Sequence, residues 1–486
     1  MIFLTSAVLQ SDFFFDNASI WALFIAAFII LILDKLISEP SDKSLPIFFT
    51  CLGSIVLSIL LSVVVLDTSA LKVVEARELI TNFSKIGVII VNIALFFLTF
   101  ITYSGGNREN DKNLASNYFF LLIAGIGGII AVKSTDILLI FAGIALMSVG
   151  FIASIMAGNP PVQQSEAIMK PVARAIMRIF AALIIFAVAA IFLALNSSGT
   201  SLIQTSNVEG AFNNAKILCF AGFWISLLIL FSIDPLFTWF NKLSQSIGSF
   251  HESLFYILYK FVIFMLMVKV YAGFSNISDI TLLIVNISAI ALLLYTTITL
   301  LSSSDVNEIK RRLVDNQFAF GILALSLIGH NNTIALQVII VFTVSALVCT
   351  SCLFMILSVG QKSREQAYDT SSVNVRSTKF SVVLSFIVLS ISAFPLTIGF
   401  FPRYSTIAGL FASNAHFVGI IAIICNIFVI YFVIRYIARL FSKNDSQHGS
   451  ESDEKFSDDW ILGFVSFILI LCLCASCFVF FSISIF

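Results

Sequence analysis

The sequence predicts an all-α polytopic membrane protein with about 14 transmembrane helices, two of them discontinuous and in pseudo-repeated positions. Three observations predict it. Apolar residues make up 59% of the chain and charged residues 11%, with a mean hydropathy of +1.04; that leaves too little polar surface to cover a soluble domain. Apolar runs recur at about the 20-residue length that a bilayer crossing needs. Lys and Arg collect in alternate gaps between those runs, as the inner loops of a membrane protein require.

The candidate spans, in order, are residues 19–37, 45–66, 80–103, 117–132, 136–156, 174–195, 217–240, 251–274, 280–300, 316–328, 333–359, 380–411, 416–441 and 459–486. The run 316–328 is short for a crossing. The polar gaps leave no room for a separate soluble domain, so residues 1–486 read as a single transmembrane domain. Asp12 and Asp16 precede the first span without a basic segment, which does not fit a signal peptide. With the N-terminus outside, eighteen of the 27 Lys and Arg residues fall at inner ends and six at outer ends. Arg178, Lys260 and Arg403 are left within spans. Both termini are therefore expected on the outer side.

Two spans carry breaks. The first is apolar except for Ser226 and Ser232 until it meets Asp234-Pro235. Proline removes a helical N–H and clashes with the preceding turn, so the helix should be interrupted there. The second break lies in the run Ser-Ala-Phe-Pro395-Leu-Thr-Ile-Gly399-Phe-Phe-Pro402-Arg403. Breaks in corresponding positions suggest an internal repeat, with residues 117–250 and 251–441 as its two halves, and point to a transport site. Two ordinary proline kinks are the bland alternative.

Between the breaks stands Lys260. A lysine deep in a bilayer is costly unless it meets water or a partner, so it marks an ion or proton path by default. Glu252, Tyr256 and Lys260 follow at four-residue steps and share a helix face. The alternative is a lysine neutralised by Glu252 or by the Asp234 region, without transport. Lys170, Arg174 and Arg178 form a similar stripe. A headgroup anchor accounts for the first two by snorkelling, whereas Arg178 lies deeper and should need a partner.

Other chemistry is weakly signalled. The net charge is zero, which gives no case for nucleic-acid binding. The eight cysteines, Cys349-x-x-Cys352 included, lie in apolar runs without a second ligand pair, and His251, His330, His416 and His448 are scattered. No metal or cofactor site is expected, and without a redox motif any electron transfer would belong to other chains.

Asn117-Tyr-Phe-Phe-Leu-Leu-Ile through Gly127-Gly128, then Ser134-Thr-Asp136-Ile-Leu-Leu-Ile-Phe-Ala-Gly143-Ile, resembles the fourth and fifth helices of the antiporter-like subunit N of respiratory complex I (NADH–quinone oxidoreductase). Glu166-Ala167 with Lys170, Pro235 with Trp239, Lys260, and Pro395-Leu-Thr-Ile-Gly399-Phe400 follow in the same order. The superfamily also holds subunits L and M and the D-type subunits of multisubunit cation/proton antiporters. The resemblance implies a multi-pass protein of the bacterial inner membrane, with both termini periplasmic and other membrane-arm subunits and the lipid bilayer as partners. It implies a proton path in which a lysine on helix seven pairs with a glutamate on helix five, a lysine on helix eight relays, and a lysine or glutamate on helix twelve passes the proton outward. Lys260 matches the relay, and Lys170, Asp234, Glu252 and Arg403 join the expected path beside the breaks at Pro235 and Pro395.

Three positions depart from that pattern. Ala145 stands at the helix-five glutamate, Leu230 at the helix-seven lysine, and Arg403 at the helix-twelve lysine. Losing both members of a buried pair is self-consistent, because either alone would be an unpaired buried charge. Three readings follow: a proton-translocating membrane-arm subunit of NADH–quinone oxidoreductase, a subunit of a sodium/proton antiporter, or a structural membrane subunit that no longer conducts.

Overall fold

The computed structural model describes residues 2–37, 40–64, 76–105, 113–158, 166–196, 201–202, 213–232, 239–274, 279–303, 305–328, 332–366, 378–445, and 463, 465, 466 and 468. Those residues are almost entirely helical, with one isolated bridge between Asp136 and Ser201. Ten helices are long and apolar enough to cross a membrane among the described residues, and shorter apolar helices lie at Ala215–Phe231 and Phe380–Ile391. The expected last span, 459–486, falls almost wholly outside the described residues.

The chain divides into two compact units. The first comprises α1 (Ile2–Leu36), α2 (Pro40–Val64), α3 (Ala76–Gly105), α4 (Leu114–Lys133), α5 (Ile137–Gly158), α6 (Glu166–Asn196), α7 (Asn213–Phe231), α8 (Trp239–Ser244), α9 (Ser249–Ser253) and α10 (Lys260–Phe274). A π-helical segment, Leu254–Tyr259, joins α9 to α10 without a break. Every residue from His251 to Phe274 is buried. This continuous helix is the axis of the unit, and α3, α4 and α7 pack against its α10 part. A helix apolar on all sides can be covered on all sides, and residues 251–274 are of that kind apart from the few polar groups described below.

α4 and α5 approach closely because glycines remove the side chains between them. A Cβ at Gly127 would lie 2.4 Å from the backbone nitrogen of Met147, and one at Gly143 would lie 2.5 Å from that of Ala131. Small residues let membrane helices make backbone-to-backbone contact, a main source of association where water is absent. Gly143→Val should therefore separate the two helices and lower stability by roughly 1–3 kcal/mol, as overpacking does. Thermal unfolding of the purified chain checks this, and an unchanged midpoint would contradict the packing.

The second unit comprises most of α11 (Asp279–Ser302), then α12 (Val306–Ala324) with a 3-10 turn (Leu325–Leu327), α13 (Asn332–Gln366), α14 (Thr378–Ile391), α15 (Phe400–Ala412) and α16 (His416–Asp445). Several helix boundaries differ from the expected spans, two of them at charged residues. α6 starts at Glu166, eight residues ahead of the expected span. α12 starts at Val306, not at residue 316. The hydropathy signal is lost over residues 306–315 because they include Lys310, Arg311, Arg312 and Asp315, yet all four are buried. Asp305 caps the helix, its side chain accepting from the Asn307 N–H at 3.3 Å, so the N-terminal turn is specified locally.

Candidate functional site

The central helix of the first unit carries a row of buried polar groups. The wider turn closes with the Lys260 N–H donating to the Phe255 carbonyl, five residues back. Such π segments are rare and concentrate at functional positions, because their hydrogen bonding is otherwise inferior. Lys260 follows at once. It is 2% exposed, and its Nζ lies 4.7 Å from the Tyr256 ring centre, 4.9 Å from that of Phe231 and 5.7 Å from that of Phe255. Ring faces attract a desolvated ammonium by about 2 kcal/mol or more. Tyr256 thus shares a face with Lys260 as the four-residue spacing predicted, and Glu252 is buried one further step back. Phe231, the end of α7, is the ring that the spacing could not supply.

The other polar groups of this helix reach different neighbours. The Ser148 hydroxyl donates to the Ile144 carbonyl at 2.8 Å, so its oxygen is left to accept from the Tyr259 hydroxyl at 3.0 Å. His251 Nε2 lies 2.9 Å from the Ser154 carbonyl, which makes it the protonated nitrogen. Nδ1 is then the acceptor, and it has no hydrogen-bond partner among the described residues. Lys269, nine residues beyond Lys260 and so on the opposite face, is fully buried. Its ammonium donates to the carbonyls of Val132, at 2.7 Å, and Ser134. That neutralises the C-terminal end of α4, where the helix dipole favours a cation. Sequence reasoning left His251 among scattered histidines. The partners of Lys269 and His251 lie on α4 and α5, and no local signal names them.

α7 stops at Phe231, with Ser232 in left-handed backbone (φ 54°). Trp239 Nε1 donates to the Ile229 carbonyl at 2.8 Å, and the Phe240 N–H donates to Ser232 Oγ at 3.2 Å. Asp234 and Pro235 themselves lie outside the described residues. Leu230 is fully buried and Ala145 half-buried.

In the second unit the chain leaves helical geometry between Ile391 and Phe400, around Pro395. Ala393 (φ 58°) and Leu396 (φ 69°) adopt left-handed backbone, uncommon for residues with a Cβ and held only where the surroundings enforce it. Gly399 is required here, since a Cβ would lie 2.0 Å from the Ser390 carbonyl oxygen. Arg403, 2% exposed, is the other enforcer. Its guanidinium donates to the Ile391 carbonyl (2.6 Å), to Asn426 Oδ1 (2.7 Å) and, at 3.5 Å, to the Ser392 carbonyl. It also stacks 4.4 Å from the Phe320 ring centre. Arg403 therefore caps the carbonyls that the end of α14 leaves without helical partners.

α12 and α13 bring further polar groups inside this unit. Lys310 lies over the Phe354 ring at 4.8 Å, and Arg312 pairs with Glu308 at 3.7 Å. Asn316 Nδ2 donates to Thr296 and Thr297 at 3.1 and 3.3 Å. Asn316 Oδ1, Gln317 Oε1, Thr350 Oγ1 and Ser351 Oγ are buried without a hydrogen-bond partner among the described residues. Sequence reasoning missed this seam because it looked for ionisable groups within apolar runs. Lys170, by contrast, is exposed on α6 together with Arg174 and Arg178. Among the described residues no group of three or more His, Cys, Asp or Glu could hold a metal ion.

No protein-family model and no curated protein matches the chain. Solved structures do. A chain of respiratory complex I from Thermus thermophilus is similar with a TM-score of 0.71 at 12% identity, over 94% of this chain and 96% of that one. A chain of the membrane-bound sulfane sulfur reductase, an archaeal respiratory membrane complex, gives 0.77 at 12% identity, over 94% and 93%. A chain of the Mrp complex from Dietzia sp. DQ12-45-1b gives 0.69 at 14% identity, over 86% and 78%. What this chain shares with all three is its fold.

Proposed function

We propose that the chain is a membrane-arm subunit of an NADH–quinone oxidoreductase-type complex and carries protons through its first unit by way of Lys260, with electron transfer taking place in other subunits. The observation that carries this reading is the buried Lys260 directly after a π segment in the axial helix, held by aromatic faces. Ring faces stabilise the ammonium at this depth, and the proton it carries is the one a relay would pass on. Tyr256 and Glu252 extend the polar row toward the start of that helix. Glu252 and Tyr256 thus take part of the place of the family pair absent at Ala145 and Leu230. Asp234 and Lys170 would serve the entry side.

A non-conducting structural subunit is the second reading. Arg403 favours it, since a guanidinium committed to a helix break and holding its proton cannot replace a relaying lysine. Membership in a sodium/proton antiporter is the third, consistent with the shared fold. Respiration-driven proton uptake by inverted membrane vesicles, with and without the Lys260 substitutions treated in the Discussion, separates the first reading from the second. Partners that co-purify with the chain separate it from the third.

The orientation proposed is a bacterial inner membrane with both termini on the periplasmic side. Single cysteines in a cysteine-free background should label from the cytoplasm in the 363–376 connection and from the opposite face in the 197–207 connection. Labelling of both from one side would refute the orientation.

A further inference from the structure

The outer face of α6 is divided along its length. At about 100° per residue, Lys170, Arg174, Met177, Ile184, Val188 and Leu195 fall within about 80° of arc, with Arg178 on the flank. All are exposed, while Ile179, Ala182 and Phe186 on the opposite face are buried. The exposed stripe is cationic at one end and apolar for the rest.

Its dimensions fit one leaflet boundary. From Arg178 to Leu195 the helix rises about 26 Å, against a hydrocarbon core of about 30 Å. With Leu195 at the far boundary, Arg178 sits about 4 Å inside the near one, and Arg174 and Lys170 project beyond it. An arginine stem spans that depth by snorkelling, so Arg178 needs no protein partner: its guanidinium reaches the phosphate layer. α7 runs antiparallel to α6, with Ser226 donating to the Ala182 carbonyl and Gly222 against Ala189. The end of α7 and α8, which packs on α6 and exposes Lys242, therefore stand at the same cationic end.

We propose that this face binds an anionic glycerophospholipid. Its phosphate is held by Arg174 and Arg178, with Lys170 and Lys242 adding charge, and its acyl chains lie along Met177, Ile184 and Val188. Guanidinium groups match phosphate in a forked geometry that ammonium does not, and two of the cations are arginines at headgroup depth. The polarity of the ligand follows that of the face: charge at one end, hydrocarbon beyond.

The test uses the full chain, reconstituted in vesicles of phosphatidylcholine with a minor fraction of phosphatidylglycerol and then re-extracted, with retained lipid measured by mass spectrometry. Phosphatidylglycerol should be enriched over phosphatidylcholine on the native chain. Arg174→Gln with Arg178→Gln should cut that enrichment roughly 25-fold, since each surface cation is worth about fivefold. Arg174→Lys with Arg178→Lys keeps the charge and the fold but not the fork, and should retain an enrichment between those of the native chain and the Gln variant. Equal retention of the two lipids on the native chain would overturn the proposal, as would equal enrichment on the Gln variant. A membrane protein that co-purifies with the native chain and is lost from the Gln variant, with lipid retention unchanged, would replace the lipid by an acidic protein partner.

Discussion

Lys260→Met should reduce respiration-driven proton uptake by inverted membrane vesicles at least about tenfold, the low end of what a positioned proton-transferring group contributes, while the chain still folds and assembles. Methionine keeps the apolar stem that fills the space among Phe231, Tyr256 and Phe255. What is removed is the ammonium and its proton while the side-chain volume is kept, so the loss of transport should far exceed any change in stability. Lys260→Ala should lose the same transport and, in addition, about 2–5 kcal/mol through the cavity it leaves. Lys260→Arg should also impair transport, because the charge stays but a guanidinium does not release its proton. Uptake at the native rate in the Met variant would overturn the role assigned to Lys260.

Arg403→Leu should behave in the opposite way, with its effect on folding. Two carbonyls and the Asn426 side chain lose a charged donor inside the second unit. Hydrogen bonds to charged groups contribute about 1.5–3 kcal/mol each, and a buried acceptor left unmatched costs about 1–3 kcal/mol. Three acceptors could reach twice the net loss, but removing a buried charge returns part of it. The expected destabilisation is about 3–5 kcal/mol, visible as a lower thermal midpoint and a poor yield of folded chain. Arg403→Lys separates a cap from a relay. A relaying lysine at this position would sustain or improve proton uptake. A single ammonium cannot reproduce a fork that reaches Ile391, Ser392 and Asn426 together, so the Lys variant should lose stability and gain no transport. Native stability in the Leu variant would show that the break holds itself in place without Arg403.

Gly399 supports the same assignment from the backbone side. Its missing side chain lets the start of α15 meet the Ser390 carbonyl, where a Cβ would sit at 2.0 Å. The break at Pro395 is thus a built structure, with two left-handed residues, one obligatory glycine and one arginine cap. Proline and glycine in an apolar run announced that the helix would stop there. They did not announce that the arginine four residues beyond Gly399 would donate to the carbonyls of Ile391 and Ser392 at that stop.

The membrane class, the approximate positions of the long helices, Lys260 in mid-helix and the antiporter-like resemblance were all legible in the sequence. Each rests on local physics: a bilayer crossing needs about 20 apolar residues, a buried cation stands out against such a run, and collinear motifs keep their order. The residues 306–315 escaped for the same reason, since buried charges erase the hydropathy that marks a helix. What only the tertiary structure decided is which polar groups meet. Lys269 reaches a carbonyl 137 residues away in the chain, and Ser148 meets Tyr259 across 111. The Phe231 ring reaches Lys260 from another helix, and the π turn that presents the lysine lies among the helices packed around it. In a bilayer, apolarity decides that a helix is buried, but lipid is as apolar as any side chain and so does not decide its neighbours. Close packing and satisfied polar groups decide that, and both exist only once the helices have assembled.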